Sequence, residues 1–131
     1  MSAPISKKIV SSPDAPQAVG PYSQGVRTGN LVFLAGQIPT IPATGAFPEG
    51  IAAQTEQVIA NIKALLASEG LTLANVVKAS VFMADLAEFG AMNEVYGRHF
   101  ASEPPARSTF QVAALPKAAR IEIEVIAQVP A

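Results

Sequence analysis

The stretch EPPARSTFQVAALPKAARIEIEVIA, Glu103 to Ala127, decides how the rest of the chain is read. Two runs of alternating residues flank Ala114-Leu115-Pro116-Lys117, and strict alternation marks strands with two chemically different faces. The spacing predicts a hairpin. Side chains point to opposite sides in turn, so Arg107, Thr109 and Gln111 share one face, while Ala106, Ser108, Phe110 and Val112 share the other. In the second run Arg120, Glu122 and Glu124 stand against Ile121, Ile123 and Val125. Closing the turn with the apolar faces together sets Thr109 near Glu122 and Arg107 near Glu124. Such a surface gathers a guanidinium, two carboxylates, a hydroxyl and an amide, which suits binding a small anion and activating water. The same residues also fit a solvated cross-strand ion network worth about 1 kcal/mol or less. Parity alone leaves both open.

At 131 residues the chain is sized for one domain with its own core, expected to cover residues 1–131. Half the residues are hydrophobic and only 15% are charged, so part of the surface is expected to be covered by another subunit. The net charge is −1 and the cations are dispersed, which gives no support for a nucleic-acid partner. Cysteine is absent, which removes disulfides, thiolate nucleophiles and cysteine-based metal sites. The single His99 lacks an HxH or HExxH partner, so no metal is expected; near the end of a helix it reads as a structural surface residue. Met1 to Val10 is interrupted by Ser11-Ser12-Pro13-Asp14 before a signal-peptide core can form, and no apolar run is long enough for a membrane span. The cytoplasm is the expected location.

Working outward from the hairpin, Pro105 forces an extended entry to Arg107. Asp85 and Glu88 form a capping-box-like start to a helix carrying Leu86, Phe89, Met92, Tyr96 and Phe100, with Asn93 one turn from Phe89. Val77 to Met83 suits a central strand. Ile51, Thr55, Val58, Ile59, Ile62, Leu65 and Leu66 recur at spacings of three and four, the buried face of a long helix that Gly70 stops. Further upstream, Lys7–Ser11, Gln24–Thr28 and Leu31–Gly36 read as strands, the last two joined by a Gly29-Asn30 turn. Tyr22, set in VGPYSQG, is not expected in the core, and Gly36 either permits close approach of another group to the backbone or marks a bulge or bend. The order of elements predicts an α+β domain, with both helices on one side of a mixed sheet and the other face needing a cover, as by subunits packing sheet against sheet.

PARSTF at Pro105–Phe110 followed by Ile121-Glu122-Ile123, with GPYSQG at Gly20–Gly25 and AGQIP at Ala35–Pro39, resembles the Rid (YjgF) family of reactive intermediate deaminases over nearly the whole chain. The resemblance implies a chorismate-mutase-like α+β fold and a homotrimer with clefts between subunits. The implied activity is cofactor-independent hydrolysis of enamines and imines such as 2-aminoacrylate and 2-iminopropanoate, or 2-iminobutanoate, released by pyridoxal-phosphate enzymes, giving 2-keto acids and ammonia. By the same resemblance Arg107 clamps the substrate carboxylate, Glu122 orients or deprotonates water, and Tyr22 positions substrate or water. Backbone groups near Gly36 and Thr109 and the Asn93 amide complete the pocket. Where many deaminase members carry cysteine this chain has Thr109, which implies no thiol-based regulation. The resemblance also admits a non-catalytic ligand-binding or chaperone-like trimer, or an endoribonuclease acting as a translation inhibitor.

Overall fold

The structure, a computed structural model, describes residues 5–131. Strands β1 (Lys8–Val10), β2 (Gly25–Thr28) and β3 (Leu31–Leu34) precede helix α1 (Ile51–Ala67). Strand β4 (Val76–Met83), helix α2 (Phe89–His99), β5 (Ala106–Gln111) and β6 (Ile121–Gln128) follow. The sequence of elements is the expected one, and short 3-10 turns punctuate the second half.

The six strands make one mixed sheet in the order β1-β2-β3-β6-β4-β5, with only the β4–β5 pair parallel. The β2–β3 hairpin forms at Gly29-Asn30, where Gly29 takes φ 59. Alternate residues of β4 and β6 are sealed from solvent: Val81, Met83, Ile121 and Ile123 each at 0% exposure. Against them lie Val58, Ile59, Ile62, Leu65 and Leu66 of α1 and Met92 and Tyr96 of α2, in one core. The spacing of three and four that predicts α1 is therefore the spacing of its buried stripe.

The predicted hairpin of β5 with β6 does not exist. β5 is an edge strand paired in parallel with β4, and β4 lies between it and β6. The connection from β5 passes over the end of β4, where Val112 N–H donates to Met83 O and Ala84 N–H to Arg120 O. A parallel neighbour requires a long crossover, and α2 supplies it between β4 and β5. The face assignment changes with the pairing. Arg107 is in register with Ala79 and Thr109 with Val81, whose partners in β6 are Val125 and Ile123. Arg107, Thr109 and Gln111 therefore look toward the helices, while Glu122 and Glu124 look the other way with Ser108 and Phe110.

The helix-free face carries Ile9, Phe33 and Phe110 at 52%, 41% and 55% exposure. The expected uncovered face is thus present and partly apolar. At α2 the cap is only half the expected box. Asp85 accepts from Ala87 N–H, but Glu88 turns to Arg120, with Oε1 2.8 Å from Nε. Leu86 and Phe89 are exposed rather than core.

Candidate active site

Immediately after β3 the chain leaves the ladder and rejoins it at Gln37, which exchanges both backbone hydrogen bonds with Ile123. That detour puts Gly36 on the helix-free face beside Glu122, and the missing side chain is what admits the carboxylate. A Cβ built at Gly36 would overlap Oε2 of Glu122 and lie 2.9 Å from its Cδ. Of the two readings the sequence leaves open for Gly36, close approach is the one realised, and the group that approaches is an acid. Glu122 is half-buried, and its pKa is raised, first by desolvation and then by the neighbouring charge of Glu124. A carboxyl so raised holds a proton more readily than an exposed one, which suits a group that must accept and return one.

Glu122 forms part of the wall of a cleft of about 700 Å³, together with Tyr22, Gln24, Ile38, Thr40 and Lys117. Tyr22 is 51% exposed with its hydroxyl 3.4 Å from the Val19 N–H, outside the core as its Gly-Pro setting implies. Glu124 is exposed and is not among the cleft residues, which separates two carboxylates that strand parity treats alike.

Buried amides hold the walls. Gln24 accepts from Ser12 N–H at 2.9 Å and donates to Pro16 O at 2.8 Å, tying down the loop before Tyr22. Asn61, on the buried stripe of α1, donates to Ile38 O and Thr40 O at 3.2 and 3.0 Å. Lys117, which also lines the cleft, and its neighbour Ala118 both take left-handed backbone, φ 55 and 57. For residues with a Cβ this costs about 1–2 kcal/mol each.

Arg107 belongs to a second cluster. Its Nη1 donates to Asn93 Oδ1 at 2.8 Å, and its Cζ lies 4.6 Å from the ring centre of Tyr96 and 5.5 Å from that of Phe89. Thr109 follows two residues along the same strand face. Within one chain the structure therefore brings together Tyr22, Gly36 and Glu122, and separately Arg107 and Asn93, with the sheet between them. The expectation that Arg107 and Glu122 share one strand face is corrected by the parallel β4–β5 pairing.

Sequence reasoning misses Gln24, Asn61 and Lys117 as cleft-building residues, and it does not connect the helix aromatics Phe89 and Tyr96 with Arg107. The amide on an apolar helix stripe at Asn61 is a signal it had available. His99 contacts Glu56 of α1 at 2.7 Å, where the hydrogen bond holds the Glu56 carboxyl below its usual value. It joins the two helices, in keeping with a structural role.

Comparison with known proteins covers nearly the whole chain. The family model described as Endoribonuclease L-PSP matches residues 12–129. Reactive Intermediate Deaminase A, chloroplastic, of Arabidopsis thaliana is 49% identical over 124 residues, 94% of this chain and 66% of that longer protein. The 2-iminobutanoate/2-iminopropanoate deaminase of Bos taurus is 45% identical over 92% of this chain and 89% of its own length. Among solved structures, E. coli TdcF with bound serine superposes with a TM-score of 0.90 at 42% identity, covering 94% of this chain and 99% of that one. On these matches, this chain belongs to the Rid (YjgF/L-PSP) family.

Proposed function

We propose that the chain is a 2-imino acid deaminase acting on small enamines and imines such as 2-aminoacrylate, 2-iminopropanoate and 2-iminobutanoate. The observation that carries this is the half-buried Glu122 carboxylate held against Gly36 in a cleft that also presents Tyr22. The names of the Arabidopsis and bovine relatives point to the same chemistry.

The reaction begins once an enamine has tautomerised to its imine. Glu122 takes a proton from water as the water oxygen bonds to the C=N carbon, and passes that proton to the nitrogen, giving a neutral carbinolamine. Glu122 then takes the carbinolamine hydroxyl proton and delivers it to the nitrogen as the C–N bond breaks, so ammonia leaves, the 2-keto acid remains and the carboxylate is restored. An imine carbon is already electrophilic, so positioning, one base and anion recognition meet the demand without a cofactor. Tyr22 orients water or substrate by hydrogen bonding. Arg107, with Asn93 occupying one of its donors, clamps the carboxylate through the rest of its planar fork.

Arg107 and Glu122 face opposite sides of one sheet, so in this proposal they meet across a subunit boundary, in a homotrimer whose sites lie between neighbours. The apolar residues left bare on the helix-free face support assembly. Thr109 contributes its backbone at the same junction.

The test generates 2-aminoacrylate in situ and follows keto-acid release with and without the protein. Acceleration by the wild type and a roughly 10- to 150-fold higher KM for Arg107→Ala are expected, the worth of a charge-assisted hydrogen bond. Release at the uncatalysed rate with wild-type protein refutes the proposal. Cleavage of RNA by the same preparation, abolished in Glu122→Gln, would instead favour the nuclease implied by the family model's description.

A further inference from the structure

Phe89, Asn93 and Tyr96 stand at i, i+4 and i+7 on α2, one stripe of the helix, and all three meet the same guanidinium. Asn93 uses a single N–H, leaving the other donors of Arg107 without partners among the described residues. The nearer ring is Tyr96, which is 5% exposed and stacked on Phe100 with centroids 4.5 Å apart. That ring is therefore fixed by the core before any ligand arrives. Its hydroxyl is buried without a hydrogen-bond partner among the described residues, an arrangement that costs free energy.

We infer that Tyr96 is a positioning residue for Arg107: its core-braced ring face holds the guanidinium so that the donors Asn93 leaves free stay aimed at a substrate carboxylate. This rests on the deaminase proposal for the identity of the carboxylate and goes beyond it in assigning the platform. The attraction is that of a cation to the negative face of an aromatic ring and needs no hydroxyl. Burial raises the Tyr96 pKa, so the hydroxyl stays neutral at ordinary pH. Phe89, farther away and 37% exposed, adds a weaker second face.

The experiment compares Tyr96→Phe and Tyr96→Leu for binding of 2-oxobutanoate by calorimetry and for kcat and KM on 2-iminobutanoate. Tyr96→Phe is expected to hold the wild-type Kd within about two-fold, because the ring face survives. Tyr96→Leu is expected to weaken binding and raise KM by about 3- to 30-fold with kcat nearly unchanged. Equal losses in both variants overturn the inference by giving the role to the hydroxyl, and so does an unchanged Kd in a folded Tyr96→Leu. Should Tyr96→Leu fail to fold, side-chain NMR of the wild type decides. Arg107 protons, assigned by their loss in Arg107→Lys, are expected upfield of those of the other arginines through the ring current, and unshifted resonances overturn the inference. Wild-type binding of 2-oxobutanoate without turnover would refute the deaminase proposal while leaving the Kd comparison to judge Tyr96. Absence of any binding overturns both.

Discussion

Substituting Gly36 by alanine perturbs a single contact whose cost follows from the geometry. The added Cβ lies 2.9 Å from Cδ and 3.1 Å from Cγ of Glu122, where carbon atoms ordinarily sit about 3.5–4.0 Å apart. The Glu122 side chain must withdraw by about 1 Å, because Gly36 is fixed by the hydrogen bonds of its neighbour Gln37 to Ile123. A misplacement of about 1 Å in a reacting group costs about 100-fold in rate, equivalent to about 2.7 kcal/mol of transition-state stabilisation. Stability should change little. Gly36 is outside the left-handed region, and the lower unfolded-state entropy of alanine contributes about 0.4–1 kcal/mol in favour of folding. Steady-state kinetics on 2-iminobutanoate and urea denaturation check the two halves separately. A double-mutant cycle locates the effect: in a Glu122→Gln background the alanine should cost less than about three-fold, since the base is already gone. Gly36→Ala with kcat within three-fold of wild type, or a 100-fold loss that persists without Glu122, would refute the role given to this contact.

Glu122 also makes a pH prediction. Its folded pKa is raised, so the native state binds more protons than the unfolded state between the ordinary carboxyl value and the raised one. Wild-type stability relative to Glu122→Gln should therefore fall as pH rises through that interval and then level off. Urea midpoints of both proteins from about pH 4 to pH 8 test the sign, and a relative gain for the wild type would contradict it. Phe110→Asp places a charge on the bare sheet face and should dissociate the proposed assembly, read by sedimentation velocity; an unchanged mass would remove that face from the interface. Asn61→Ala removes the side-chain donor of the Thr40 carbonyl, while the Ile38 carbonyl keeps the Thr40 N–H, and should cost about 1–3 kcal/mol. A thermal melt matching the wild type would show that the cleft wall stands without it.

Local chemistry is what the sequence makes legible here. The stripe from Ile51 to Leu66, the Gly29-Asn30 turn, the exposed Tyr22 and the choice of bend or close approach at Gly36 each follow from residues near one another in the chain. What stays hidden is which strands pair. Alternation in Ala106–Val112 and Ile121–Val125 identifies strands and their two faces, but a short polar connection looks the same whether it closes a hairpin or steps over an intervening strand. Here β4 takes the place between them, and the register it imposes turns Arg107 to the opposite side from Glu122. The two candidate clusters were each discernible as residue types; their separation was not, because it is set by pairings about 30 residues apart in the chain. Phe89 and Tyr96 were likewise legible as helix-face aromatics, whereas the guanidinium above them comes from a different element.

The position of β6 has a consequence for biosynthesis. It follows every other described strand, yet it sits in the interior of the sheet, hydrogen-bonded to β3 on one side and β4 on the other. A ribosome-bound chain that has not yet released those residues holds two separate strand groups, each with a raw edge and a half-built apolar layer, a state prone to strand-to-strand aggregation. Emergence of β6 inserts the keystone and delivers Glu122 to Gly36 in the same event, so the acid acquires its setting only when the sheet becomes continuous.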